Sequence, residues 1–227
     1  MTTRLAKILI ASTVLAILPA TLACAGANNP PPPPANGSAI LNGQLTFGAQ
    51  WSTINTKVSG VGGDVVIQGQ AAGNALEAVT FDDTHLTSTQ DAESTNIGSD
   101  VNAGVSYVNG SVGISGQATC NSTDVSTDPN VTAVNSKQIC NAQDPGSSVN
   151  ATVHNIGGDV SIASGATGNS FTEDTNALSS PTAIHQFNSS SVFSTTNATV
   201  NSVGGSVGVT SSAVGNNAQV VHYSTGP

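Results

Sequence analysis

A twenty-residue block occurs four times in this chain without an internal gap, beginning at Asn55, Asn102, Asn150 and Asn197. It reads N-[TA]-x-V-x-x-[VI]-[GN]-G-[DS]-V-x-[IV]-x-[GS]-x-A-x-[GC]-N, and its starts lie 47, 48 and 47 residues apart. A fixed period in this range marks stacked or radial repeats, in which each unit covers the apolar face of its neighbour. Gln44, Gln90, Gln138 and Gln186 precede the four blocks at nearly constant distance, so the whole unit repeats and not only the block.

Within the first block, Val61, Gly63, Val65, Ile67, Gly69, Ala71 and Gly73 fall on odd positions, and the residues between them vary from copy to copy. Period two is the mark of a strand with one face turned inward. The inward face is Val and Ile followed by small residues. Charged residues are 7% and aromatics 4% of the chain, against a usual charged share of about 25%. A bulky Leu/Phe core is therefore out of reach, but stacked β coils can bury small side chains in a thin interior and satisfy the backbone through continuous ladders.

The expected fold is all-β, a right-handed or flattened β-solenoid of four repeats of about 47 residues, with a β-sandwich or propeller-like arrangement as the alternative. A repeat this long suggests two coils per unit. Gly63, Gly110, Gly158 and Gly205 mark a bend or bulge inside the strand, since glycine accepts unusual backbone angles. Asn74, Asn121, Asn169 and Asn216 close the blocks and read as turn residues with left-handed angles, able to form a ladder along one corner.

Residues 1–27 have a basic start (Arg4, Lys7), an apolar stretch and small residues at Ala23, Ala25 and Ala27, the layout of a secretory signal peptide. Cleavage at an A-x-A site and lipidation at Cys24 are both compatible with it. Residues 28–39 form a Pro-rich linker containing Pro30–Pro34, a semi-rigid polyproline spacer, and residues 40–227 form the repeat domain. Export permits a disulfide between Cys120 and Cys140, with two free buried thiols as the alternative. Cys120 takes the place of Gly73, Gly168 and Gly215 in the other repeats. A bridge there would pin one repeat to its own following loop.

No catalytic or metal-binding pattern emerges. His85, His154, His185 and His222 share no repeat position and read as surface or loop residues. The acidic pairs Asp82-Asp83 and Glu173-Asp174 read as solvated loop charges, because they do not match in register. A lyase on a β-helix needs clustered acidic and basic residues, whereas Lys57 and Lys137 are the only basic residues after the leader. A net charge of −9 makes nucleic acid a poor partner, since its binding relies on cationic neutralisation of phosphate. No cofactor is expected, and the chain reads as a non-enzyme.

At Val61-Gly62-Gly63-Asp64-Val65, Ile156-Gly157-Gly158-Asp159-Val160 and Val203-Gly204-Gly205-Ser206-Val207, each followed by Ala-x-Gly-Asn, the chain resembles bacterial β-solenoid surface adhesins. More particularly it is similar to the holdfast anchor proteins of stalked α-proteobacteria, over about residues 44 to 221. The resemblance implies an exported, non-enzymatic protein of the outer membrane and cell surface that fastens adhesive polysaccharide to the envelope. Exopolysaccharide or envelope proteins are the partners it implies. The short chain and Cys120 depart from the family pattern. A second reading is a self-assembling, curli-like fibre subunit, since Ala218 to Pro227 carries no charged cap and the fourth repeat stops early.

Overall fold

The computed structural model describes residues 38–93, 96–128 and 131–223. The signal peptide, Cys24 and the polyproline run lie outside the described residues. The first strand opens at Ser38, slightly ahead of the expected domain boundary at residue 40.

Among the described residues, twelve strands and no helix build a three-sided parallel β-helix. The first coil holds β1 (Ser38–Thr46), β2 (Gln50–Val61) and β3 (Val65–Thr80). The second holds β4 (Thr84–Ala92), β5 (Ile97–Val108) and β6 (Val112–Thr127). The third holds β7 (Thr132–Cys140), β8 (Gly146–Ile156) and β9 (Val160–Thr175). The fourth holds β10 (Thr182–Asn188), β11 (Phe193–Val203) and β12 (Val207–His222). Corresponding strands pair in parallel to give a first sheet β1-β4-β7-β10, a second β2-β5-β8-β11 and a third β3-β6-β9-β12. Register follows the repeat, with Asn55 beside Asn102 and Asn102 beside Asn150.

Each repeat is thus one coil and not two. The length is absorbed by the strands, of which those in the third sheet run to 16 residues. They reach that length by bending once. Pairing skips Gly73, Cys120, Gly168 and Gly215, and the side chains on either side of that position, such as Ala118 and Asn121, both face inward. Before the bend the third sheet packs on the second, through Val112, Ile114, Val160 and Ile162 against Val101, Val105, Val149 and Val153. After it the same sheet packs on the first, where Val125 and Phe171 meet Leu86 and Val134. One strand per coil therefore covers two walls of the core.

The Gly-Gly segment is a corner and not a bulge within a strand, since β2 ends at Val61 and β3 starts at Val65. Glycine is needed there for closeness. A Cβ on Gly110, Gly158 or Gly205 would run into the corner of the preceding coil, including the backbone of Gly63, Gly110 and Gly158 respectively. Gly63, in the first coil, has nothing within 4 Å of such a Cβ. A left-handed angle recurs just upstream of each corner, at Gly60, Tyr107, Asn155 and Ser202, and a further one lies at Asp144, between β7 and β8. Pairing skips the residue upstream of each corner as well, so the inward positions change parity: Val58 and Val61 both face the core.

Asn74, Asn121, Asn169 and Asn216 are not turn residues. They sit inside β3, β6, β9 and β12, outside the left-handed region, just past the bend. The bend turns their side chains into the interior, where the carboxamides bond to one another in an unbroken series at 2.8 Å. A second series runs beside it through Gln44, Gln90, Gln138 and Gln186, at 2.8 to 2.9 Å. Each series also crosses between walls. Asn121 donates to the Ile139 carbonyl of the first sheet, and Gln90 to the Ser122 carbonyl of the third. A buried amide is costly unless its donors and acceptors are matched, and here each rung matches the next.

Cys120 and Cys140 are bonded, with Cα atoms 6.0 Å apart. Cys140 closes β7, so the bridge joins the bend of the second coil to a strand of the third and not to a loop. Two expectations about charged and polar groups also change. Glu173 is wholly buried in β9, where its carboxylate accepts hydrogen bonds from Ser180 and Thr182 at 2.6 and 2.7 Å. His85 is buried in β4 and is not a surface residue.

Candidate functional site

The second sheet presents the most regular outer surface. Alternation inside β2, β5, β8 and β11 sends Ile54, Val101 and Val149 inward, so the residue after each of them points to solvent. That residue is the asparagine opening each block. Asn102 donates to Asn55, Asn150 to Asn102 and Asn197 to Asn150, each at 2.9 Å, in an exposed ladder across all four coils.

Two further columns run parallel to it. One holds Lys57, Gly104, Thr152 and Thr199, and the next holds Ser59, Ser106 and His154, paired in register. Ser106 donates to Ser59 at 3.1 Å. Beside them Tyr107 meets His154 edge-on, ring centroids 5.7 Å apart. Together the columns line an open trough of about 1220 Å³. Gly104, with no side chain, leaves its middle open.

Chemically the trough is an array of amides and hydroxyls at the strand spacing of about 4.8 Å. Asn102 and Asn197 each use one N–H on the preceding asparagine and keep a second, Asn150 also reaches Ser148 Oγ at 3.5 Å, and Asn55 only accepts within the ladder. Lys57 is the one charged residue lining it. Among the described residues no group of three or more His, Cys, Asp or Glu is placed to hold a metal ion.

The residues singled out by sequence divide into two sets. Asn74, Asn121, Asn169, Asn216, Cys120 and Cys140 are brought together inside the junction of the first and third sheets, and Gly63, Gly110, Gly158 and Gly205 stack at the opposite corner. None of them lines the trough. The alternation that starts at Val61 does not reveal the trough residues, because it lies downstream of the parity change. The signal was present as Asn55, Asn102, Asn150 and Asn197, a polar residue held constant at an outward position.

Residues 44–225 match the family model of HfaD, Holdfast attachment protein D. The chain belongs to the holdfast attachment protein D family. Membership makes it a bacterial holdfast attachment protein of the cell surface, in agreement with the resemblance carried by the Gly-Gly corners and the A-x-G-N motifs. The match reaches all four coils, taking in β1 from Gln44 onward, so the amide ladders and the trough both lie within the HfaD region. No curated protein and no solved structure matches the chain.

Proposed function

We infer that this HfaD-family chain is a non-enzymatic anchor, associated with the outer membrane, that fastens adhesive exopolysaccharide through the outer face of its second sheet. The observation that carries this reading is the exposed asparagine ladder, running unbroken over four coils beside columns that include the hydroxyls of Ser59, Ser106, Thr152 and Thr199. A neutral, hydroxylated polymer offers the complementary donors and acceptors along its length. Individual contacts of this kind are weak, and their repetition supplies strength. The scarcity of charge in the trough suits a sugar better than a phosphate-bearing ligand.

Co-sedimentation of the exported protein with purified holdfast polysaccharide tests the reading. Gly104→Trp fills the middle of the trough, where a side chain meets only the Lys57 stem. The expected result is polysaccharide capture by the parent and about ten-fold weaker capture by this variant at unchanged melting temperature. Equal capture by both would move the contact elsewhere, and no capture by the parent would remove polysaccharide as the partner.

A further inference from the structure

The ladders have a direction, and that direction leaves the two ends of the β-helix complementary. In the outer asparagine ladder and in the glutamine ladder the later coil always donates to the earlier. In the buried asparagine ladder the earlier coil donates to the later. At the Gly-Gly corner the later backbone N–H donates to the earlier side chain, as Ser206 N does to Asp159. The outer asparagine, glutamine and corner series therefore each end in an open donor at one face and an open acceptor at the other, whereas the first acceptor of the buried asparagine series, Asn74 Oδ1, already takes a hydrogen bond from Thr46 at 2.7 Å.

At the fourth coil, and among the described residues, Asn197 Oδ1 and Gln186 Oε1 have no partner above them, and Asn216 Nδ2 has no onward acceptor. At the first coil Asn55 Nδ2 is free of the ladder, and Gln44 uses Nε2 only on the Ala75 carbonyl. The backbone follows suit. β1, β2 and β3 are bonded along one edge only, as are β10, β11 and β12. In the third sheet each open edge is 16 residues long.

The usual protections of such an edge are missing at the fourth coil. Edge strands are commonly blunted by inward or flanking charges, yet from Thr175 to Pro227 there is no Asp, Glu, Lys or Arg. The Val/Ile column between the second and third sheets continues into Val207 and Val209, which are 49% and 47% exposed. The bulky rings at the two ends also lean away from the faces. Trp51 of the first coil lies over Gly98 of the second, and Phe193 of the fourth lies over Gly146 of the third.

We propose that the β-helix stacks head to tail on a second copy of itself, with the fourth coil of one molecule seating the first coil of the next. The internal register carries across the junction: β10 on β1, β11 on β2 and β12 on β3. Asn55 of the next copy donates to Asn197, Gln44 of the next copy to Gln186, and Asn216 to the second lone pair of Asn74 Oδ1 of the next copy, beside its bond from Thr46. Val207 and Val209 are covered by Val65 and Ile67 of the next copy. The contact is heterologous, so it does not close on itself and propagates into a filament. It goes beyond the polysaccharide reading and needs no ligand.

The test uses the full chain, expressed with its leader and recovered after export. Sedimentation should show concentration-dependent association, and electron microscopy unbranched filaments. Gly63→Val is the discriminating variant, because a side chain there meets nothing within the monomer but faces the Gly205 corner of the preceding copy across the junction. It should keep the parental circular dichroism and melting curve and weaken association by about ten-fold or more. Independently, Asn55→Cys and Asn197→Cys proteins should form a 55–197 disulfide only when mixed under oxidising conditions, since in-register neighbours meet the distance requirement. A parent that stays monomeric at its highest soluble concentration overturns the proposal. So does undiminished association of a folded Gly63→Val protein, a 197–197 bond, or no 55–197 bond in the mixture.

Discussion

Gln138 donates through Nε2 to Oε1 of Gln90 at 2.9 Å, and neither side chain has any exposure to solvent. The same Gln90 donates to Gln44 and to the Ser122 carbonyl and accepts from Thr123. Removing it strands several buried groups at once, and each unsatisfied group costs about 1–3 kcal/mol. Gln90→Leu should therefore lower stability by about 3 kcal/mol or more, measured by urea unfolding. Gln186→Leu, at the open end of the ladder, should cost clearly less.

The disulfide between Cys120 and Cys140 closes a sequence separation of 20. Chain-entropy arguments assign such a loop about 3 kcal/mol. Cys120→Ala and treatment of the parent with reductant should give similar losses in the same unfolding assay. Cys120→Gly combined with Cys140→Ala reproduces the Gly73 and Ala92 pairing of the adjacent coil and should retain the native circular dichroism spectrum.

The corner glycines predict a contrast between identical substitutions. Gly158→Ala drives a methyl into the Gly110 backbone and Ser111, an overpacking that costs about 1–3 kcal/mol. Gly63→Ala meets nothing and should leave the melting temperature of the monomer unchanged.

Asp91 supplies a pH signature. Burial, reinforced by Glu93 and opposed by Lys137, raises its carboxyl above the ordinary value of 3.8. The folded state then holds its proton to higher pH than the unfolded chain does. Its contribution to stability is largest below pH 3.8 and falls as pH rises through the raised folded value. Asp91→Asn should accordingly raise the melting temperature at neutral pH, and the difference between the two proteins should vanish in acid. Thermal melts across the acidic range check this.

The repeat and the inward Val/Ile face were legible because they depend on spacing alone. The coil count was not, since length per repeat does not reveal a strand that bends and serves two walls. Asn121 illustrates why. Its residue type favours turns, but a single skipped pairing position at Cys120 turns it into the core, where the neighbouring coils supply its partners. The burial of Glu173 is hidden for a related reason, because the hydroxyls that accommodate it, Ser180 and Thr182, belong to the next coil. The trough depended on a parity change at Gly60, which only the backbone angle discloses.

An attachment protein carries mechanical load, and the Cys120–Cys140 bond determines which part of this chain can feel it. When the two ends are pulled apart, tension passes through the sulfurs and bypasses the intervening segment, about 70 Å of extended chain at full stretch. That segment contains Asn121 and Gln138, one middle rung of each buried amide ladder. Tension applied to the outer coils therefore does not run through the backbone that carries these two rungs.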